Sequence, residues 1–411
     1  MRLDGPDLFH LTQERPGQPA HTLKVAVLDR ALAPDELRSW LRTAVAHLPV
    51  LRRRAELVRG RGARWVDSPV DLEAHLVDTV LDGPLADHLG ELAGLPLDRN
   101  RPLWALHHLR DGAGGPSILV LRVHHALADG AASVRLWEAL ADQPAGSMPT
   151  VTPTAVGPLA LALRWRAHGR RVAATKGAAV DPFSGPPTPF NDRLAGEHEC
   201  AFVDLPLDQV LGAARATGVK LNDVLLALTG GAVRALLGLD GPSLTATVPA
   251  ALPARSEVYG NAVTTLYLSL HSDTYEPAER SRMIAADMAA ARSVMGEDPR
   301  LLPDSQQRWR FYRLLVLLMR FEEKRRRRPA YNAIVSSVRG PEPLRLCGAD
   351  VVALRSFGPN AGRLGLNVTA WSYRGLLSVG IHAFRGAVPD LDRLGVLLQA
   401  ELDRIAPAVA P

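Results

Sequence analysis

Two adjacent histidines followed by an acidic residue and a glycine form the segment of this chain best suited to chemistry. The segment reads HHALADG and spans residues 124–130. A neutral imidazole titrates near physiological pH, and a positioned general base commonly contributes roughly 10² to 10⁴ in rate. Because neighbouring side chains of a strand point to opposite faces, His124 and His125 cannot both face one reacting atom. We therefore predict that one histidine is a general base and that the other is structural.

Asp129 and Gly130 close this segment. Asp129 lies four residues beyond His125, and the glycine permits backbone geometries that other residues resist. The carboxylate can brace the loop through an ion pair or orient an imidazole, and the residue types leave both roles open. A metal site needs about three convergent ligands, whereas this segment supplies two at best. Proton transfer is thus the predicted chemistry, and a purely structural histidine is the alternative.

The motif lies where a predicted buried strand turns into a helix. A strand is predicted at 118–125, and its residues 118–123 are nearly all apolar, which is typical of a central strand covered on both faces. A Gly-rich turn joins them to a strand predicted at 103–110, and a helix is predicted at 131–141. Further strands are predicted at 21–29, 199–205, 244–249, 263–270, 331–337, 351–356, 366–373 and 376–382, and further helices at 34–48, 207–217, 222–237, 277–294, 305–326 and 391–404.

Length and composition indicate a two-domain globular protein. At 411 residues the chain exceeds the size at which a single core stops growing, and its hydrophobic content of 47% is ordinary. The stretch 143–190 is rich in Pro, Gly, Ala and Arg, which is typical of an interdomain linker, with one helix predicted near 159–175. We predict a first domain at 1–142, this linker, and a second domain at 191–411.

Nothing in the sequence indicates secretion or a membrane span. Cys200 and Cys347 are too few for a disulfide framework and have no partner at metal-ligand spacing. Charged residues interrupt the first ten positions, so no signal-peptide core is present. The aliphatic run 314–319 is far shorter than the roughly 20 residues that cross a bilayer. We expect a cytoplasmic protein that lies on a membrane if it meets one.

Several segments resemble one enzyme family. Residues 124–130 match the HHxxxDG motif of the CoA-dependent acyltransferase superfamily, which includes chloramphenicol acetyltransferase and peptide-synthetase condensation domains. The preceding LDRNRPLW is more closely similar to the bacterial wax ester synthase/diacylglycerol acyltransferase family. Three later segments are similar to that family in the same order. They are LNDVLLA at 221–227, GN at 260–261, and LGLNVT at 364–369 with SY at 372–373.

The resemblance implies a fold and a reaction. The implied fold is α/β (α+β), with two chloramphenicol-acetyltransferase-like domains, each a mixed sheet flanked by helices, meeting at a central tunnel. His125 would be the base and His124 its structural partner, while Asp129, often paired with an arginine in the family, would brace the loop with Gly130. The base deprotonates an acceptor that attacks the acyl thioester directly, without a covalent enzyme intermediate. Acyl-CoA would be a co-substrate, and no cofactor or metal is implied.

The same resemblance supplies candidate substrate-binding residues. Asn222 and Asp223 also suit a helix N-cap and an acidic first turn, whereas the functional interpretation has Asn222 or the helix terminus polarise the thioester carbonyl. The PLW group suits core packing as well as a wall of the acyl tunnel. In place of the family's SNVPGP this chain has SSVRGP, which gains Arg339, and the change puts the acceptor in question. The candidates are Pro102, Leu103, Trp104, Asn222, Asp223, Ser336, Ser337 and Asn367.

The net charge of +5 is concentrated in two basic stretches. Nine basic residues lie between Arg308 and Arg328 against Glu322 and Glu323, and the stretch 164–176 holds five basic residues and no acidic ones. The first stretch predicts a helix with an apolar face. It suits a solvated helix packed on the core, an interfacial helix on an anionic membrane or lipid droplet, or a contact for CoA phosphates. Aromatic residues do not interleave with it, so nucleic acid is not an expected partner.

The sequence thus predicts an acyl-CoA-dependent O-acyltransferase that moves a long-chain acyl group to the hydroxyl of a lipid alcohol or diacylglycerol. One alternative is a natural-product acyltransferase that esterifies or amidates a non-lipid acceptor. Another is a catalytically silent lipid-binding relative, against which the intact His125, Asp129 and Gly130 argue. The expected location is the cytoplasm, peripheral to the inner membrane or lipid droplets. Chain length of the acyl group, acceptor and oligomeric state stay open.

Overall fold

The fold is described from a computed structural model of the chain. It describes residues 3, 5–58, 62–143, 180, 183–192, 194–251, 260–261, 263–295, 309–326 and 328–405. Most of the predicted linker at 143–190, including the helix predicted near 159–175 and the basic stretch 164–176, lies outside the described residues.

Helices and strands alternate along the described residues. The helices are α1 (Gly5–Gln13), α2 (Pro34–His47), α3 (Leu72–His75), α4 (Leu85–Gly94), α5 (Gly130–Leu140), α6 (Pro189–Asp192), α7 (Leu207–Thr217), α8 (Leu221–Leu237), α9 (Pro277–Met295), α10 (Trp309–Arg326) and α11 (Leu391–Ile405). The strands are β1 (His21–Leu28), β2 (Arg53–Val58), β3 (Gly62–Asp67), β4 (Leu76–Leu81), β5 (Trp104–Asp111), β6 (Ile118–His124), β7 (His198–Pro206), β8 (Thr245–Ala251), β9 (Val263–Ser269), β10 (Ala333–Arg339), β11 (Arg345–Leu346), β12 (Ala349–Phe357), β13 (Leu366–Tyr373) and β14 (Leu376–Phe384).

Two six-stranded sheets carry the fold, and each mixes parallel with antiparallel pairs. The first has the order β11-β12-β1-β6-β5-β4, with β4 and β5 parallel. The second has the order β7-β14-β13-β10-β8-β9, with β10 parallel to both β8 and β13. The strand β6 is central and almost wholly buried, as its apolar sequence predicts. The predicted mixed α/β fold is confirmed.

The first sheet is built from both halves of the chain. Strand β12, from the second half, pairs antiparallel with β1 along its length, from Leu23 opposite Phe357 to Leu28 opposite Val351. A small hairpin of β2 and β3 stands apart from both sheets. The sheets therefore do not follow the boundaries predicted at 142 and 191, and those boundaries stay a prediction.

A buried ion pair joins α8, α9 and α11 to one another. Arg280 of α9 places Nη1 2.6 Å from Glu401 of α11 and 2.8 Å from the carbonyl oxygen of Ala227 on α8. The Arg280 side chain is 2% exposed and that of Glu401 is 11% exposed. Since α8 carries Asn222, this pair sets the position of a candidate site residue.

We expect Arg280→Met to lower the free energy of unfolding by ~3 kcal/mol, because removing one partner of a buried pair leaves the other charge uncompensated. Chemical denaturation monitored by circular dichroism measures this change. An Arg280→Met/Glu401→Leu double variant should recover most of the loss, since two apolar side chains replace the pair. A double variant as unstable as the single one would contradict this account.

Candidate active site

His125 follows β6 directly and stays partly accessible, whereas His124 is buried. The backbone N–H of His125 donates to the carbonyl of Ala20 at 2.7 Å. The ring Nδ1 lies 2.8 Å from Asn261 Oδ1. Among the described residues no hydrogen-bond partner faces Nε2. The base predicted from the sequence is therefore held at one nitrogen and open at the other.

The protonation of His125 follows from the contacts of Asn261. The amide nitrogen Nδ2 of Asn261 donates to the His125 carbonyl at 2.7 Å and to Asp7 Oδ1 at 2.8 Å. Both partners are acceptors, so the oxygen Oδ1 must be the amide atom that faces the ring. The His125 Nδ1 therefore carries the proton, and Nε2 keeps its lone pair. This is the tautomer that a general base requires.

Asn261 is itself held from two sides. Asp7 of α1 also accepts the Asn261 backbone N–H at 2.9 Å. Gly260 adopts φ 105°, a conformation that favours glycine, and an added Cβ would lie 3.1 Å from Asp7. The Gly260 carbonyl accepts the backbone N–H of Asp129 at 3.1 Å. The Gly-Asn pair thus connects α1 to the histidine segment.

His124 is buried and has partners different from those of His125. The Ala126 N–H donates to its Nδ1 at 3.0 Å, so the ring proton sits on Nε2, 3.3 Å from Glu14 Oε1. Glu14 also accepts the Ala20 N–H and the Arg99 guanidinium. Burial alone would raise the pKa of Glu14, but these hydrogen bonds, with His124 first, outweigh it and hold that pKa at about 2. The carboxylate therefore stays ionised beneath the segment.

Asp129 caps the helix that follows the histidines. Its Oδ1 accepts the Ala132 N–H at 2.8 Å at the start of α5, as acceptors at helix N-termini do. Of the two roles left open for it, that of orienting the His125 imidazole belongs to Asn261. Gly130 lies against β10, where an added Cβ would meet the Val338 side chain at 2.8 Å. Both residues thus fix the loop.

The surroundings of His125 disfavour its protonation. Burial is the main cause and the positive charge of Lys24 the second; together they lower its pKa to about 4 against the hydrogen bonds to Asn261 and to its own carbonyl. Lys24 is 2% exposed on β1, with Nζ 2.7 Å from Ser356 Oγ and 4.8 Å from the Trp371 ring centroid. Burial lowers the pKa of Lys24 to about 7, partly offset by Asp129. His125 is therefore neutral at physiological pH.

A third imidazole lies on the base. The ring of His10, from α1, stacks on that of His125 with centroids 3.9 Å apart and planes inclined by 18°. Gln13 Nε2 is 2.8 Å from His10 Nδ1. Since an amide nitrogen only donates, His10 Nδ1 accepts and its proton sits on Nε2. The two stacked rings therefore carry opposite tautomers.

Four of the predicted substrate-binding residues form two groups on opposite sides of β10. Ser337 Oγ donates to Asn222 Oδ1 at 2.9 Å. Ser336 Oγ lies 3.2 Å from Thr369 Oγ1, which donates to Asn367 Oδ1 at 2.7 Å. Alternation along a strand separates the two serines. The structure thus joins Asn222 with Ser337, and Asn367 with Ser336, while their contacts with substrate stay a prediction.

The predicted N-cap role of Asn222 is wrong. Helix α8 begins at Leu221 and has Lys220 at the N-cap position. Asp223, in the first turn, accepts the Lys220 backbone N–H at 3.0 Å and so closes the helix end. Asn222 lies inside the first turn, and its side-chain oxygen is left for Ser337. The acidic first turn is confirmed.

Leu103 and Trp104 are core residues beside β6, at the start of the neighbouring strand β5. Leu103 is fully buried, and its carbonyl accepts the His124 N–H at 3.0 Å. Trp104 is 2% exposed and donates its indole N–H to the Leu51 carbonyl at 2.7 Å. Pro102 precedes them and is buried. The packing alternative thus has direct support, and the tunnel-wall role stays a prediction.

The described residues offer neither a metal site nor a helix that could span a membrane. Across these ranges no group of three or more His, Cys, Asp or Glu side chains can hold a metal ion. Nor does any helix in the described part of the chain have the length and apolarity needed to cross a bilayer.

Four residues of this site were not predicted as site residues from the sequence. Asn261 was named only as part of a resemblance segment. Asp7 and His10 lie on α1, which was not predicted, and Glu14 follows its last residue at the same helical spacing. The 3-4 spacing of these polar residues was the available signal. On its own such a stripe is typical of a solvated helix face.

Comparisons with known proteins identify the family of this chain. The family model for the wax ester synthase/diacylglycerol acyltransferase catalytic domain matches residues 3–177 and 147–225, and the model for the C-terminal domain matches 259–406. A Mycobacterium tuberculosis protein whose name assigns it as a diacylglycerol O-acyltransferase is 32% identical over 95% of this chain and 87% of its own. A second such protein from that organism is 30% identical over 95% and 92%.

Solved structures agree on the fold. The wax ester synthase/diacylglycerol acyltransferase of Marinobacter aquaeolei VT8 superposes with a TM-score of 0.69 at 22% identity, covering 98% of both chains. The first condensation domain of the CDA synthetase superposes with a TM-score of 0.63 at 18% identity, covering 100% of this chain and 98% of its own. The resemblance predicted from the sequence is confirmed. This chain belongs to the wax ester synthase/diacylglycerol acyltransferase family, and it is an acyltransferase.

Proposed function

We propose that this enzyme transfers a long-chain acyl group from acyl-CoA to the hydroxyl of a lipid alcohol or diacylglycerol, with His125 as general base. The observation that carries the proposal is the set of contacts by which Asn261 fixes the tautomer of His125. Asn261 holds the proton on Nδ1, and Nε2 is the open, basic atom. A base so placed can take a proton from a hydroxyl and needs no metal.

The reaction then needs one base and two proton transfers. The acceptor hydroxyl gives its proton to His125 Nε2 while its oxygen forms a bond to the thioester carbonyl carbon, and the carbonyl electrons move to oxygen. When the oxyanion collapses, the carbon–sulfur bond breaks. The CoA thiolate leaves with the proton from the His125 imidazolium. No covalent enzyme intermediate and no cofactor besides the acyl-CoA co-substrate is required.

Asn222 is our candidate for polarising the thioester carbonyl. Because Oδ1 accepts from Ser337, its Nδ2 is the atom available to donate. A donor aimed at a developing oxyanion contributes strongly to acyl transfer. Asp223 would support this role indirectly, since it closes the helix end that carries Asn222.

Lipid acceptors are favoured by the relatives. The curated Mycobacterium tuberculosis proteins named above are assigned as diacylglycerol O-acyltransferases at 30% identity or more. The likeness to condensation domains concerns the fold alone, so it gives no support to a natural-product acceptor. The exposed Arg339, which pairs with Glu342, is the local feature that sets this chain apart from the SNVPGP pattern.

Radiolabelled palmitoyl-CoA offered with hexadecanol, with diacylglycerol, and with no acceptor tests the proposal. We expect labelled wax ester or triacylglycerol, resolved by thin-layer chromatography, and little label without acceptor. Product formed only with polar hydroxyl or amine metabolites would contradict the lipid assignment. Label that stays in acyl-CoA under all conditions would support the silent relative instead.

The pH dependence of the reaction should reflect the lowered pKa of His125. The base works only when neutral, and its pKa of about 4 keeps it neutral well below the usual histidine range. We expect kcat/KM to stay level from neutral pH to about 5 and to fall only as pH approaches 4. Lys24→Met removes a nearby positive charge and should move this acid limb to higher pH. An acid limb of the wild-type kcat/KM profile centred near pH 6.5 would contradict the assignment of His125 as the base. Circular dichroism over the same pH range shows whether the fold is intact.

We also propose that α10 rests on an anionic lipid surface. Its side chains Leu317, Leu318 and Phe321 are 56%, 53% and 62% exposed. Lys324 and Arg325 are exposed in the following turn. Apolar and basic side chains side by side suit an interfacial helix better than a solvated one. Helix α10 packs on α1, which carries His10, so a lipid surface there would lie beside the candidate active site.

Replacing Leu317, Leu318 and Phe321 together by serine should weaken binding to phosphatidylglycerol vesicles at least ~10-fold, because each buried apolar side chain contributes about 1.5–3 kcal/mol. Vesicle sedimentation measures the change. Val396→Ser, which removes a side chain 67% exposed on α11, is the matched control and should bind normally. Equal binding by the triple variant and wild type would rule out this surface.

A further inference from the structure

A second histidine stands beside the base, and the mechanism above does not use it. His10 stacks on His125 at 3.9 Å between centroids and is partly buried. Gln13 donates to its Nδ1, so its only ring proton is on Nε2. Within the described residues that N–H has no hydrogen-bond partner. His10 Nε2 is also not one of the fully buried polar atoms that lack a partner.

The two rings therefore offer complementary atoms within a few ångströms of each other. His125 offers a lone pair on Nε2, and His10 offers an N–H on Nε2. Burial and the neighbouring His125 and His124 lower the pKa of His10, which keeps it a neutral donor rather than a cation. A substrate that contacts the His125 ring is thus within reach of the His10 ring.

The chemistry of acyl transfer indicates which substrate atom needs such a donor. The attacking oxygen must keep its lone pair for the new bond, so a donor there would slow the reaction. The thioester carbonyl oxygen, in contrast, gains negative charge as the bond forms. A neutral N–H held in place stabilises that charge without reorganisation.

We propose that His10 is a further catalytic residue, whose Nε2–H donates a hydrogen bond to the thioester carbonyl oxygen while His125 takes the acceptor proton. This inference rests on the proposed acyl transfer. Helix α1 then serves the reaction twice. Its Asp7 holds Asn261 and so fixes the base, and its His10 contacts the substrate.

His10→Phe and His10→Ala separate the donor from the stack. Phenylalanine keeps a ring against His125 but has no N–H, whereas alanine loses both. We expect both variants to lose roughly 10²- to 10³-fold in kcat, the effect of removing one oxyanion donor. Phe9→Leu, which alters the ring packed edge-on against His10, is the matched control and should keep wild-type kcat.

Two outcomes would overturn the proposal. His10→Phe with wild-type kcat and His10→Ala with reduced kcat would show that only stacking matters. An equal loss in Phe9→Leu would show that packing of α1 is responsible.

A second measurement does not depend on turnover. The carbonyl stretch of [1-¹³C]palmitoyl-CoA bound without acceptor, recorded by isotope-edited infrared spectroscopy, should move to higher frequency in His10→Phe because a hydrogen bond to oxygen is lost. An unchanged band together with normal wild-type turnover contradicts the role of His10 alone. A wild-type protein that neither binds nor turns over acyl-CoA would instead contradict the proposed function.

Discussion

A His125→Ala variant should lose at least ~10²-fold in turnover of acyl-CoA with a lipid alcohol while it keeps its fold, because a positioned general base contributes roughly 10² to 10⁴ in rate. Alanine removes the only atom in the described site, Nε2, that is both basic and open. Asn261 would keep its bonds to Asp7, so the loop should stay in place. Steady-state kinetics with radiolabelled donor measures the loss.

His47→Ala is the matched control for this experiment. His47 is an exposed histidine at the end of α2, and its removal should leave turnover unchanged. Circular dichroism and thermal unfolding of both variants show whether the fold is retained. Undiminished turnover in His125→Ala would remove this imidazole from the mechanism and leave the family assignment without its predicted base.

Strong periodic or apolar patterns were sufficient to predict much of the fold. Helix α7 and strand β13 lie at their predicted bounds, and β6 begins where predicted and ends one residue early. Such elements are specified by their own residues. The pairing of β12 with β1 was not predictable in this way, because it joins residues more than 300 positions apart and neither strand carries a local signal for its partner.

The candidate site likewise contains residues that the sequence predicted and residues that it did not. His124 and His125 could be assigned different surroundings from strand geometry, and the structure gives them different partners, Glu14 for His124 and Asn261 for His125. Helix α1 could not be recognised, because its Asp7 and His10 are polar, and the partner that Asp7 binds, Asn261, lies in the second half of the chain. The cap of α8 was placed two residues late for a different reason. Asn222 is a good cap by type, but Asp223 reaches the free N–H of Lys220.

Asn261→Leu should lower kcat by about 10- to 100-fold, since the choice of imidazole tautomer is then no longer fixed; a wrong tautomer alone can cost a serine protease about 10⁴-fold. Leucine has the same branched shape but offers neither the acceptor for Nδ1 nor the two donations to His125 and Asp7. The affinity for acyl-CoA should change little, because the lost contacts act on the base. Pre-steady-state kinetics with separate donor titration measures both quantities.

Exchanging the amide of Asn261 with the carboxylate of Asp7 tests whether Asn261 acts by fixing the tautomer of His125 or only by packing against it. Asn261→Asp keeps an acceptor for His125 Nδ1 but sets a carboxylate against that of Asp7, so it should lose activity. In Asp7→Asn/Asn261→Asp the new amide can donate to the new carboxylate, and activity should partly return. A carboxylate beside the ring also favours the imidazolium, so the acid limb of kcat/KM should move to higher pH. Recovery without that shift would mean that Asn261 only fills space, and the assignment of Nε2 as the basic atom would lose its foundation.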